Sequence, residues 1–423
     1  MGNRAQIAAE ESVKIRKSVR ILWVKAGKLL PVDTGGKIRS YNILRHLARQ
    51  HAVKFLSYYG GPRDSEYEAQ IERQLPGSET IHTAVPDSSD LERGFAYAKK
   101  LFHAAPFAVS KFTDARVCQA VEGASNSRQF DVAVCDFLSA SLNFPDRLAL
   151  PSVLFQHNVE SSLWQRMAHT ESHWVRRAVY KIEAGKMKRY ETATLARFHS
   201  VIAVSDTDRQ QMLEMDSTCQ ITVVPTGVDT EKYQPAPPST AVPPTIVFTG
   251  SMDWEPNVDA MEYFCAEIWP RVLAAAPTAR FQIVGRDPHP RVKKLASESV
   301  EVTGTVPSVE EYLRQATVVV VPLRIGGGTR LKIFEAMAMS KAMVSTTIGA
   351  EGLDVHPGRD IFFADDAENF ANSIVRLIRD NTLRHQSERA AAEQARRYDW
   401  SRIAEKFAEV LASATHAPAA VSV

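Results

Sequence analysis

The run IGGGTRLKIFEAMAMSKAMVST, residues 325–346, sets three consecutive glycines before two cations and one isolated acid. The apolar run VVVVPL ends at Leu323 and reads as a strand; LKIFEAMAMS reads as a helix; residues 326–329 form the turn between them. The first amides of a helix lack intrahelical acceptors and point outward. With the helix dipole they attract an anion, and glycine lets it approach the backbone closely. Arg330 and Lys332 add full charges at the same end. Gly327, Gly328, Thr329, Arg330 and Leu331 therefore make a candidate cradle for a diphosphate. Glu335 lies a little over one turn into the helix. Its carboxylate has the acceptor capacity for two vicinal hydroxyls, such as those of a ribose. The plainer alternative is a solvated glutamate after a turn whose glycines serve only geometry, because a glycine-rich turn before a helix is a weak motif.

These residues need elements to position them. Short apolar, β-branched runs alternate with helical patterns along almost the whole chain. They are VRILWV, AVKFLSYY, DVAVCDF, SVLFQHN, SVIAVS and ITVVPTG in the first half, and TIVFTG, RFQIVG, VEVTGTV, ATVVVVPL and KAMVSTT in the second. Continuous rather than alternating hydrophobicity predicts strands buried on both faces of parallel sheets. Between the halves, QPAPPSTAVPP carries five prolines and reads as a linker. The chain thus divides into a first domain over 1–235, a second over 236–396 and a last segment over 397–423. In that segment Trp400, Ile403, Phe407, Val410 and Leu411 recur at helical spacing. Ligands of open α/β sheets bind beyond the carboxyl ends of strands, so two such domains enclose a cleft. Asp136 and His157 end strands there, with Glu160 three residues further on. If chemistry in the cleft required a general base near a reacting hydroxyl, Asp136, His157 and Glu160 would be the candidates; a lone histidine can equally be structural.

Composition narrows the class. The 423 residues are 44% hydrophobic and 24% charged with net charge +2, so no overall field favours nucleic acid. Cys118, Cys135, Cys219 and Cys265 form no CxxC pair; a reducing, cytoplasmic setting is expected. The polar N-terminus has no apolar leader core, and no run reaches the ~18 apolar residues of a transmembrane helix. No carboxylate cluster suggests Mg²⁺, and no metal or cofactor is expected. Residues 161–200 hold eight Lys/Arg against three Asp/Glu, with Trp164, Trp174, Tyr180 and Tyr190 among them. This reads either as a solvated helix pair or as a peripheral contact with anionic membrane at the inner face.

GGGTRLKIFEAMAMSKAMVSTTIGAEGL resembles the donor-site segment of GT-B glycosyltransferases of the large retaining group known as family 4 or group 1. DTGGKIRSYNILRHLA, HNVESSLWQRM, VVPTGVDTEKYQP and VFTGSMDWEPNVDAMEYFCAEIWP resemble other segments of that family, in order, over roughly 19–412. The resemblance implies two Rossmann-like doubly wound domains facing across a cleft, the first on the acceptor side and the second binding the nucleotide-sugar donor, and a last helix crossing back to the first. It implies transfer of a sugar, with retention, from a nucleotide-diphosphate sugar to a hydroxyl of a polysaccharide, glycolipid or lipid-linked glycan. Gly35 and Gly36 would meet the diphosphate, His157 would contact sugar or acceptor, and Gly227 and Gly250 would line the donor side. The alternatives are an epimerase or hydrolase on the same fold, or a non-catalytic nucleotide-sugar-binding partner of another transferase.

Two departures stand out. The family's first donor-site glutamate, eight residues before Glu335, is here Gly327. The family's cation pair after the first donor-domain strand is absent: Ser251, Pro256 and Asn257 take the places of its Arg, Lys and Gly. Cations there would stabilise a leaving diphosphate. The missing charge is therefore expected from the helix after the glycine turn. Arg330 ranks ahead of Lys332, which could instead point to solvent, because a guanidinium grips phosphate bidentately; Arg324 is a rival.

Overall fold

A computed structural model describes residues 18–83, 105–146, 148–171, 173–235, 243–325 and 330–415. Seven strands build the first sheet: β1 (Arg20–Ala26), β2 (Ala52–Tyr59), β3 (Glu79–His82), β4 (Val132–Asp136), β5 (Ser152–Phe155), β6 (Ser200–Ala203) and β7 (Ile221–Val223). Their order is β3-β2-β1-β4-β5-β6-β7. The second sheet holds β8 (Thr245–Thr249), β9 (Arg280–Val284), β10 (Val300–Gly304), β11 (Val318–Val321), β12 (Met343–Ser345) and β13 (Phe362–Phe363), in the order β10-β9-β8-β11-β12-β13. Neighbouring strands run parallel, and every residue of β4 and of β11 is buried. That burial is the physical counterpart of their unbroken apolar runs. Sequence patterning missed β3 and β13. Both are edge strands, one polar and partly exposed, the other two residues long, so neither carries a two-faced apolar signature.

In both sheets the order of strands reverses at one point, between β1 and β4 in the first and between β8 and β11 in the second. The strand ends at such reversals are where doubly wound sheets hold ligands. Six helices line the cleft, flank it or brace its strands: α1 (Gly35–Leu47), α2 (Glu160–Thr170), α3 (Trp174–Leu195), α4 (Glu255–Tyr263), α5 (Leu331–Ala338) and α6 (Trp400–Thr415). Among the described residues no helix is long and apolar enough to cross a membrane.

Helix α6 buries the stripe read from its spacing: Trp400, Ile403, Phe407, Val410 and Leu411. Its main seat is the first sheet. Phe407 stacks on Trp23 of β1 at 5.3 Å and meets the edge of Phe155 of β5 at 5.0 Å. Just before α6 the backbone is tied to the segment that follows β7. The Val228 amide donates to the Tyr398 carbonyl at 2.8 Å and the Trp400 amide to the Val228 carbonyl at 3.2 Å, while Thr230 bonds the Asp399 carboxylate.

Candidate active site

The site is built where the two reversal points meet. On the first sheet, α1 opens with Gly35 and Gly36, and Thr34 before it makes no side-chain cap. The first-turn amides are thus left for a ligand. A Cβ on Gly36 would stand 3.1 Å from His157 Nδ1, so glycine is what lets the loop lie against that ring. The open cleft here is lined by Gly35, Gly36, Lys28, Phe137, His157, Asn158, Glu160 and, from the second lobe, Leu331.

His157 is almost fully buried, and its Nε2 lies 2.8 Å from Asp136 Oδ1. A carboxylate only accepts, so Nε2 carries the proton and Nδ1 keeps a lone pair. Burial outweighs the pull of Asp136 and lowers His157 to about 4, leaving a neutral imidazole. Asp136 is itself fully buried and receives Trp23 Nε1 at 2.9 Å and Lys25 Nζ at 3.1 Å. Burial by itself would raise Asp136, but Lys25, His157 and Trp23 together hold it well below the usual carboxylate range. This corrects its reading as a base: both oxygens are engaged and neither faces an acceptor. Asp136 orients His157 instead.

Glu160 does line the cleft. Burial first and the neighbouring Glu191 second raise it to about 7. Glu191, from α3, accepts the Glu160 and Ser161 amides at 3.0 Å each and so caps α2 from outside. Arg39 of α1 is buried. It donates to Thr226 Oγ1 at 2.7 and 3.0 Å and to the His157 carbonyl at 3.3 Å. Lys37 is the surface partner of Asp33.

On the second sheet the geometry reverses the ranking of the two cations. Arg330 is buried, donates to the Ile348 carbonyl at 3.2 Å, and lies near Glu351 and Arg166 in a smaller pocket shared with Arg39 and His157. Lys332 crosses instead to the loop after β8. Its Nζ bonds Asn257 Oδ1 at 3.1 Å and sits 4.1 Å over the Phe248 ring. A Cβ on Gly250 would come within 2.9 Å of Lys332 Nζ. Asn257 of α4 completes the bridge by donating to the Ser251 carbonyl at 2.7 Å. Lys332 thus delivers its ammonium to the loop that lacks a cation of its own. Burial first, then Arg330, lowers it to about 7. The idea that Lys332 points to solvent is set aside by these contacts. Arg324 is occupied by Asp259 and the Tyr263 ring.

Glu335 follows Lys332 by three residues and shares its side of α5. Its Oε1 accepts Tyr233 Oη at 3.0 Å, and burial raises its carboxyl against the opposing pull of Tyr233, Lys232 and Lys332. Ser251 Oγ donates to Asp253 at 2.7 Å and receives Arg286 Nε at 3.0 Å. Gly250 abuts Gly285: a Cβ on Gly285 would fall 1.6 Å from the Gly250 carbonyl oxygen. Gly227 corrects a second expectation. A Cβ there would strike the Trp400 ring at 2.6 Å, so this glycine serves the packing of α6 rather than the donor. Gly327, Gly328 and Thr329 lie outside the described residues. Sequence reasoning missed Tyr233 and Arg286. Tyr233 stood within the quoted GVDTEKYQP segment, but nothing local points it at an acid 102 residues away.

Comparison with known proteins bears on the family and the fold. The chain matches the family description "Glycosyltransferase Family 4" over residues 34–232 and "Glycosyl transferases group 1" over 243–380. A phosphatidyl-myo-inositol mannosyltransferase of Mycolicibacterium smegmatis is 27% identical over 237 residues. The match spans 53% of this chain and only 59% of that protein. Among solved structures, Anabaena HepE in complex with UDP and glucose aligns with a TM-score of 0.60 at 15% identity, over 93% of this chain and 100% of that one. Sucrose-phosphate synthase from Thermosynechococcus elongatus aligns at 0.66 with 16% identity, over 93% and 98%. These structural likenesses speak to the fold. With both lobes matched in sequence and both sheets in place, the chain belongs to the group 1, family 4 glycosyltransferases of GT-B fold.

Proposed function

We propose that the protein moves a glycosyl group from a nucleoside-diphosphate sugar to a hydroxyl of a glycan or lipid-linked acceptor, with retention, at the cytoplasmic side of a membrane. The observation that carries this is Lys332 Nζ at the mouth of the Gly250 loop, one turn from Glu335. As the glycosidic C–O bond breaks, negative charge grows on the departing diphosphate, and a fixed cation is worth most there. Neither α5 nor α1 has a side-chain cap at its start, and their N-terminal ends approach the same group from opposite lobes. Glu335 keeps one oxygen for Tyr233 and offers the other to a ribose hydroxyl. Neutral His157 accepts a sugar hydroxyl at Nδ1. The acceptor oxygen forms the new bond on the face the leaving group vacates, and its proton passes to a phosphate oxygen, so no protein base is required. Glu160 orients the acceptor. Phosphate neutralisation rests on Lys332 and Arg330, so chelation with EDTA is expected to leave turnover unchanged. Four unpaired cysteines support a reducing compartment.

The test is a thermal-shift screen with UDP, GDP, ADP and their sugars. A ligand at 100 times its Kd stabilises the native state by about 2.7 kcal/mol. One nucleotide family is expected to raise Tm in the wild type and not in Glu335→Gln. A product assay with and without acceptor then checks transfer: sugar released or epimerised without acceptor would overturn the assignment. Asp136→Asn is expected to lower turnover on the order of 10²-fold or more by unsettling the His157 tautomer. Loss of the Nε2–H signal in nitrogen-15 NMR spectra of the variant separates this positioning role from a merely structural one.

A further inference from the structure

Helix α3 presents a face that the transfer reaction does not use. Trp174 is 78% exposed, Ile182 48% and Val175 42%. Half of the exposed large hydrophobics among the described residues sit on this one helix. Trp174, Ala178 and Ile182 stand four residues apart, so they form a stripe along the axis. Arg177, Lys181 and Lys188 run along one edge of the stripe, Arg189 joins it beyond Ile182, and all four are exposed. The acids of α3 are Glu183 and Glu191, and both are buried on the opposite face. The outward face therefore combines unpartnered apolar side chains with positive charge and carries no acid.

Neither a solvated helix nor a protein seam accounts for that combination. A solvated helix has no use for a largely exposed tryptophan, and a protein interface is depleted of lysine at its centre. An amphipathic face of aromatic and aliphatic residues edged by Lys and Arg matches the boundary of an anionic bilayer, where the rings enter the headgroup layer and the cations meet lipid phosphates. We infer that α3 docks the enzyme on an anionic lipid surface. The placement also fits the transfer reaction, and for this part the inference rests on that reading. Helix α2 runs 11 residues from Glu160 in the cleft toward the turn before α3, a length of about 16 Å at 1.5 Å per residue. An acceptor anchored in the bilayer by lipid chains can reach the cleft over that span.

Vesicle flotation tests it. The full chain is mixed with phosphatidylcholine vesicles containing or lacking roughly a third phosphatidylglycerol. Wild-type protein floats with the anionic vesicles at low salt and not with the neutral ones. Trp174→Ser with Ile182→Ser lowers the bound fraction by tenfold or more, and Lys181→Glu with Lys188→Glu abolishes it. All these side chains are exposed, so the variants keep the wild-type melting temperature and its nucleotide-dependent rise. That rise, measured in parallel, reports on the donor site alone, so failure of the transferase reading and failure of docking are told apart. Equal flotation with both vesicle types, no flotation at all, flotation that both variants retain, or retention on an anionic polymer matrix without vesicle binding would each overturn the inference.

Discussion

Lys332→Met lowers turnover by about 10²–10³-fold, the loss measured when one fixed donor to a developing anion is removed. The magnitude follows from position. The ammonium is held between Asn257 and the Phe248 ring and lies against Gly250, so it needs no rearrangement when the diphosphate departs. The loop it serves offers only the Ser251 hydroxyl, already engaged by Asp253 and Arg286. Two side effects identify the cause. Burial lowers the ammonium to about 7, against an ordinary value near 10.4. The unfolded chain therefore binds more protons between those values, so this group's contribution makes stability rise with pH across that window and stay level, at its least favourable, below it. Removing the charge accordingly raises the melting temperature of the ligand-free variant at neutral pH, although it cripples turnover. Bound diphosphate restores the ammonium, so nucleotide binding takes up a proton above pH 7. Affinity then falls by up to about tenfold per pH unit as pH rises through that range. Titration calorimetry in buffers of different ionisation enthalpy reads the proton directly. An unchanged pH slope in Lys332→Met would remove the assignment.

Phe407→Ala has the largest expected effect on stability, about 3–5 kcal/mol, the usual result of deleting a buried aromatic ring. For a lobe of roughly 200 residues that is a fall in Tm of about 6–20 °C. The ring is fully buried and lies against Trp23 and Phe155 at 5.0–5.3 Å. The damage then spreads to chemistry. Trp23 donates to Asp136, which fixes His157, so loosening Trp23 blurs the imidazole that faces the sugar. Differential scanning calorimetry gives the first effect, and turnover measured below the transition gives the second. A Phe407→Leu variant that recovers most of the stability yet little turnover would mark the route through Trp23.

Much of this architecture was legible because burial on two faces writes itself as unbroken Val, Ile and Leu. The valines of β11 sit between layers of helix and could hardly be anything else. The glutamate and the cationic helix start were legible for a similar reason: polar groups in an apolar unit need a purpose. The choice between Arg330 and Lys332 was not. It depends on a loop far upstream that offers Gly250 as a gap and on Asn257, 75 residues from Lys332, as a partner. Asp136 and Glu160 also looked alike in sequence. The parallel register that pairs Lys25 with Asp136 decides that one acid is sealed while the other meets the cleft. Arg39 reads as an ordinary helix-surface charge until Thr226, 187 residues away, comes to cover it.

The chain passes between its lobes twice, and the two passages are stitched side by side where Val228 pairs with Asp399 and Tyr398. A single tether would let the lobes swivel freely. Two cords laid edge to edge resist twist and sideways slip, and they yield easily only to folding about the line they share. The spine of a book moves in this way, and it brings the same pages face to face each time it shuts.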